Sequence, residues 1–301
     1  KKIKYWKRSS GNYAGNFIMN SDKLNELIKK RANGSNDISL HLHQMFFFEH
    51  VLMRLEKSKY KHNIILKGGV LLSSIIGSDM RTTKDIDATL KSIPLNEESI
   101  KNIFEEILSI DMEDGFIFKI ESVKDIRLDD FYSGYRINVY GEFDKLKTHF
   151  FIEVTTGDII TPRKIKYKYN SIFEDKTIDI MAYTIETIIA KKFESIISKN
   201  ISTTRAKDIY DMYIIVNNQF DNVNKITLIK AMERTFKHRN TNFNIEYLND
   251  IFEIIKDSIV LKELFDNYSK KLNYAKGIKY EDTIKSIKQI MDLLQQELVI
   301  Q

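Results

Sequence analysis

The sequence predicts an α+β protein: a core with a small mixed sheet and flanking helices, followed by a mostly helical C-terminal part. Three observations carry this. Between Asn63 and Thr161, short β-branched runs and period-two alternation interleave with one helical segment near Glu97–Ile110. Residues 20 to about 60 read as helices, with Leu24, Leu27 and Ile28 at helical spacing and a dense apolar stretch through Met45, Phe46, Phe47, Val51, Leu52 and Leu55. Beyond Met181 almost every segment reads as amphipathic helix, over 183–198, 205–217, 223–236, 247–267 and 281–299. A chain of 301 residues has room for two modest domains, and this change of texture divides it into 1–180 and a helical 181–301 that contributes residues to a shared site.

Composition narrows the class. With 43% hydrophobic and 30% charged residues, the chain has the balance of a globular protein rather than of a disordered tail. Its apolar runs, such as Ile64–Leu66 and Val70–Leu72, are far shorter than the roughly 20 residues of a bilayer span. The basic stretch Lys1–Asn12 lacks the apolar segment and small-residue cleavage site of a signal peptide, so a cytoplasmic location is expected. The absence of cysteine removes disulfides, thiolate metal sites and thiol nucleophiles together. A net charge of +5 suits a phosphate-bearing partner, and it equally suits the Lys-, Ile- and Asn-rich usage of an AT-rich genome. Only Pro94 and Pro162 interrupt the chain, with no linker-like segment and no repeat.

The chemistry sits in the predicted sheet. Ile64-Ile65-Leu66-Lys67-Gly68-Gly69 reads as a buried strand that ends in a double glycine and passes into a helix from Val70 to about Ile76. Glycines there let backbone N–H groups approach a phosphate, and the helix N-terminus adds a favourable dipole; a plain tight turn has the same appearance. Arg81-Thr82-Thr83-Lys84-Asp85-Ile86-Asp87 follows, with acidic and apolar residues alternating at the start of a strand. Period two places Asp85 and Asp87 on one face with Cα atoms roughly 6.5–7 Å apart. Both carboxylates then reach one or two hard cations, Mg²⁺ or Mn²⁺, with positions left for substrate phosphates. A third carboxylate is expected from a neighbouring strand, and Glu153 supplies it within the apolar run His149–Val154. An ionised group in such surroundings requires a cation or donor partner. Asp158 ranks behind it, as a turn or strand-end residue.

In the helix over 183–198, Ile185, Ile188, Ile189, Phe193, Ile196 and Ile197 define an apolar stripe, and Lys192 falls near its middle while Lys191 points elsewhere. A lysine in that position faces a cleft or snorkels at the stripe's edge. In the next helix Arg205, Asp208 and Asp211 recur every three residues along one side, where an Arg205–Asp208 ion pair is the simple explanation. His41 and His43 lack metal-ligand spacing on a helix and read as structural or surface residues.

These elements together resemble the AbiEii/AbiGii toxin family, nucleotidyltransferases of bacterial abortive-infection toxin–antitoxin systems. The resemblance runs in order through Glu49, Arg54-Leu55 and Ser58-Lys59-Tyr60, then Leu66–Gly69, Arg81–Asp87, Gly134-Tyr135-Arg136 and Glu153–Pro162, and on to Glu186–Lys192 and Arg205–Asp211. Three positions depart from the family pattern: Glu153 stands for an Asp, Lys191 for a Glu before the lysine, and Thr155-Thr156 for a Gly-aromatic pair. The resemblance implies a DNA polymerase β-like core in which Asp85, Asp87 and Glu153 hold the metal. It further implies Lys192 and Asp211 as active-site residues, and an NTP gripped by Lys67, Gly68, Gly69, Arg81, Thr83, Lys192, Arg205 and Asp208. The expected reaction is transfer of NMP from an NTP to RNA, with the tRNA 3′ end as acceptor and an AbiEi-type antitoxin from a neighbouring gene as partner. Nucleotidylation of a protein and a non-catalytic nucleotide-binding module are the competing expectations.

Overall fold

A computed structural model describes residues 19–94, 96–129 and 132–298; the basic stretch at the chain's start lies outside them. Two helices come first, α1 (Ser21–Ala32) and α2 (Asn36–Lys57), their starts fixed by Asn20 and Ser35, whose side chains accept the Lys23 and Ile38 N–H groups. Next come β1 (Ile64–Lys67), α3 (Gly68–Ile76), β2 (Asp85–Leu90) and α4 (Glu97–Leu108), then a long hairpin of β3 (Phe116–Asp129) and β4 (Tyr132–Phe143), and β5 (Leu146–Thr155). A second hairpin, β6 (Ile165–Asn170) and β7 (Thr177–Ala182), closes the sheet.

The seven strands lie in the order β3-β4-β5-β2-β1-β7-β6, with β2–β5 and β1–β7 parallel and the other pairs antiparallel. The protein is thus α+β with a mixed sheet, as its sequence predicts. One face of the sheet is sealed by α2, whose Phe47 and Phe48 meet Phe118 and Phe150 edge-on. The helix is buried over nearly its whole second half, and its Glu49 caps the β6–β7 turn, accepting bonds from Ser171 Oγ (2.6 Å) and the Ile172 N–H (2.7 Å).

The C-terminal part is helical: α5 (Ile185–Lys199), α6 (Ala206–Gln219), α7 (Lys225–His238), α8 (Ile245–Lys256), α9 (Ile259–Lys271) and α10 (Tyr280–Leu298). Two sequence expectations are corrected here. The segment 247–267 is not one helix, because the Ser258 side chain accepts the Leu261 N–H and starts α9 after a break at Asp257. The β6–β7 hairpin was not expected, although Ile165-Lys166-Tyr167-Lys168-Tyr169 alternates in period two. Strand β7 also runs across the 180/181 division, and the Tyr183 N–H bonds the Leu66 carbonyl (3.1 Å), so the sheet leads directly into α5. No helix among the described residues is long and apolar enough to cross a membrane.

Candidate active site

Strand register assembles the site. Asp87 sits opposite Lys67 of β1 on one side and opposite Glu153 of β5 on the other, while Glu153 in turn faces Arg136 of β4. Directly opposed residues present their side chains on the same face, so these four form one transverse row across four strands. Asp85 lies in the next row, opposite Phe151. The result brings Asp85, Asp87 and Glu153 together, with one ligand oxygen from each lying within 4.8 Å of the others. Asp87 is held above the usual carboxylate range by burial and then by the charges of Asp85 and Glu153, as expected where three anions converge.

The double glycine fits this row sterically. Gly68 has φ +63°, and a Cβ on it would lie 1.8 Å from Asp87 Oδ2; a Cβ on Gly69 would lie 2.3 Å from Thr83 Oγ1 and from an Arg81 nitrogen. The start of α3 therefore presses directly against the carboxylates, and the Gly69 N–H points at Asp87 Oδ2 (3.4 Å). Thr83 donates its hydroxyl to Asp85 Oδ1 (2.8 Å), and its own N–H is accepted by buried His41 Nδ1 (3.2 Å). Burial pushes His41 down to about 4, so it is a neutral structural acceptor, in keeping with its sequence reading.

Two buried carboxylates beside the row are paired with cations. Asp158, just after β5, accepts from Lys67 Nζ (2.7 Å), Tyr183 Oη (2.5 Å), Thr89 Oγ1 (2.8 Å) and Lys191 Nζ. Burial would raise it, but Lys67 and Lys191 hold it well below the ordinary carboxylate range. Asp211, fully buried on α6, accepts from Lys192 Nζ (2.6 Å) and Arg81 Nε (3.2 Å), which bring it down to about 2 against the cost of burial. Asp208 joins Lys192 (3.0 Å) to Arg205 (2.9 Å), so the expected Arg205–Asp208 pair is present.

All the sequence-predicted residues except Thr83 and Asp211 line a single cleft between the sheet and α5. Thr83 stands behind Asp85 and Asp211 behind Lys192, each positioning a lining group. Lys191 corrects the sequence reading. It does not point away: Ile188, Lys191, Lys192 and Ser195, at three- and four-residue spacing, form the face of α5 that lines the cleft. The two lysines diverge from it, Lys191 toward the sheet and Lys192 toward α6. Asp158, ranked second from sequence, is the anchor of Lys67 and Lys191 rather than a strand-end residue. Arg136 supplies the donor that Glu153 required, placing Nε (2.8 Å) and Nη2 (2.5 Å) on the same oxygen, Oε1.

A fold that converges three carboxylates and a glycine turn at one edge of a mixed sheet, with lysines facing them from a helix, defines a nucleotidyltransferase-like site. The family described as nucleotidyl transferase AbiEii toxin, type IV TA system, matches residues 50–290, and the chain belongs to it. Among solved structures, the chain is similar to a candidate nucleotidyltransferase from H. pylori at 15% identity and TM-score 0.46, covering 86% of this chain and 96% of that one. It is also similar to JHP933 from Helicobacter pylori at 14% identity and TM-score 0.46, covering 88% of this chain and 94% of that one. No curated protein sequence gives a significant match.

Proposed function

We propose that this nucleotidyltransferase of a toxin–antitoxin family transfers a nucleoside monophosphate from an NTP to the 3′ end of an RNA, with tRNA as the acceptor, and so blocks growth of the cell, including during phage infection. The observation that carries the reading is the division of the cleft into a row of mutually repelling carboxylates and a bank of half-buried, carboxylate-anchored lysines beside it. Three convergent hard-oxygen donors suit Mg²⁺ or Mn²⁺, and Asp85, Asp87 and Glu153 are the residues that would hold it. When bound, such an ion neutralises the row, grips the triphosphate and makes the acceptor hydroxyl easier to deprotonate.

The chain's own groups do the rest. Lys67, Lys191 and Lys192, with the backbone at Gly68–Gly69, are placed to take up the triphosphate's negative charge. Arg136 holds one oxygen of Glu153, Oε1, with two of its N–H groups and fixes the carboxylate beside the row. The acceptor oxygen forms the new bond to the α-phosphorus as the bridging bond to the β-phosphate breaks, and pyrophosphate leaves with that electron pair. Asp158 and Asp211 keep the lysines charged and aimed through the reaction. The antitoxin is proposed to be of the AbiEi type and encoded beside the toxin, and both are placed in the cytoplasm.

The test is incubation of the purified protein with each labelled NTP, total RNA and Mg²⁺, followed by sequencing of small-RNA 3′ ends. Extended 3′ ends that disappear on chelation support the proposal. Label appearing on protein instead, or none at all, overturns it.

A further inference from the structure

The carboxylate row has a second side, away from the cleft's Lys67, Lys191 and Lys192. Along β5, Phe150, Ile152 and Val154 enter the core, while Lys147, His149, Phe151 and Glu153 lie on the opposite face. Phe150 is 1% exposed, whereas Phe151 next to it is 40% exposed. Phe151 stands opposite Asp85 on one side and Asn138 on the other, one row from Asp87, Glu153 and Arg136. The Arg136 guanidinium lies 5.2 Å from the centre of the Phe151 ring while donating to Glu153. The face continues outward from there over β4 and β3, where register places Lys124 beside Arg136 and Lys119 beside Tyr140.

We infer that this open face of β3–β4–β5 is the track for the single-stranded 3′ end of the acceptor RNA, with Phe151 as the stacking platform for the nucleotide next to the reacting hydroxyl. The inference rests on the RNA-transfer reading above and adds the path by which the acceptor enters. Three features favour a nucleic-acid strand over a protein surface. The exposed ring lies against the Arg136 guanidinium on a face that also carries Lys119, Lys124 and Lys147, whereas a protein-docking patch is a contiguous apolar area. Aromatic rings beside arginine and lysine are the recurrent means of holding unpaired bases and their phosphates, because every base offers a π-face. Acids on this face are engaged locally, Glu121 with His149 (3.0 Å) and Glu142 with Lys147 (3.9 Å), so they do not oppose a polyanion as free charges. The cleft's lysines lie on the other side of the row, which separates acceptor from triphosphate across the reacting atoms.

The experiment uses the full chain carrying Phe151→Ala, Phe151→Leu or Phe151→Trp, with NTP and a single-stranded RNA bearing the accepted 3′ sequence. Both substrates' KM values and the anisotropy of the labelled RNA are measured. Loss of one stacked base predicts about a tenfold rise in the RNA KM and Kd for the alanine variant. The leucine variant behaves similarly, the tryptophan variant returns to wild type, and the NTP KM is unchanged in all three. An RNA KM unaffected by Phe151→Ala and Phe151→Leu in a protein whose wild type extends RNA would overturn the track and leave the RNA-transfer reading standing. Equal rises for RNA and NTP would overturn it too, by making Phe151 a general site residue. A wild-type protein that labels only protein would remove both.

Discussion

Six carboxylates surround one cleft, and they fall into two sets. Asp158, Asp208 and Asp211 are buried, and each is met by lysine or arginine at 2.6–3.4 Å or closer. Asp85, Asp87 and Glu153 converge on one another instead; Arg136 pairs with one oxygen of Glu153, while Asp85 and Asp87 are met by the Thr83 hydroxyl and the Gly69 N–H, so three carboxylates share one directly paired cation. One set of acids thus holds the cleft's lysines, and the other is the set proposed above to take a cation from solution. A substitution should therefore change sign in its effect on stability according to the set it falls in.

The largest effect is expected at Asp211. It is completely buried between Lys192 and Arg81, so Asp211→Ala leaves the buried Arg81 without its carboxylate and Lys192 with Asp208 alone, and loss of one partner of a buried pair costs about 3–5 kcal/mol. Chemical denaturation should show that loss, with or without Mg²⁺. A stability change below about 1 kcal/mol would mean that the cations relax into solvent and that Asp211 is no anchor.

Asp87→Asn should do the opposite. Removing one of three crowded anions relieves repulsion, so the melting temperature in chelator should hold or rise, while Mg²⁺ should stabilise wild type and not the variant. Transfer should fall about 10²- to 10³-fold or more, the scale of losing preorganised electrostatic stabilisation. A variant that melts earlier in chelator would show that the row is structural.

The two neighbouring lysines of α5 sharpen the comparison. Lys192→Ala should lower transfer by roughly 10²-fold. Lys191→Ala, silent in a reading that turns this lysine away from the cleft, should instead raise the NTP KM several-fold, because Lys191 shares Asp158 with Lys67. Burial brings Lys191 down to about 8 even beside Asp158, so NTP affinity should also weaken in wild type as pH rises past 8. That pH dependence should be absent from Lys191→Ala.

The convergent row of acids was legible in the sequence because it is written in local periodicity. Asp85 and Asp87 alternate along one strand, Glu153 interrupts an apolar run, and Gly68–Gly69 precedes a helix. The acids that hold the lysines were only half legible. Lys192 was visible as a charge within an apolar helical stripe and Asp211 only through the family resemblance, but the Lys191–Asp158 pair, like the Arg136–Glu153 pair of the row, joins residues 33 and 17 positions apart respectively, and no single-segment pattern encodes them. The same holds for the fold: α2, α4 and the strand–turn–helix at Gly68 follow from periodicity, whereas the break between α8 and α9 depends on one capping serine, Ser258.

Glu49 belongs to neither set and provides the smallest test. It is buried on α2 with hydrogen-bond donors alone, Ser171 Oγ, the Ile172 N–H and Tyr169 Oη (3.2 Å), and burial pushes it up from 4.5 to about 7 despite them. A folded-state pKa above the unfolded value means that its contribution to stability is fully present below pH 4.5 and is lost as pH rises through about 7. Wild-type stability should therefore carry a falling component between those limits, on the order of 3 kcal/mol, because each pH unit separating the two values is worth about 1.4 kcal/mol. Glu49→Gln keeps an acceptor for the Ile172 N–H and cannot ionise, so its stability should lack that component. At pH 8 the variant should exceed wild type by about 2 kcal/mol, the remainder being lost to imperfect replacement of the Ser171 bond. Urea melts of both proteins at pH 5 and pH 8 decide it: parallel pH dependence would mean that three hydrogen bonds suffice to hold a buried carboxylate ionised, and the contrast between cation-paired and unpaired acids would lose its basis.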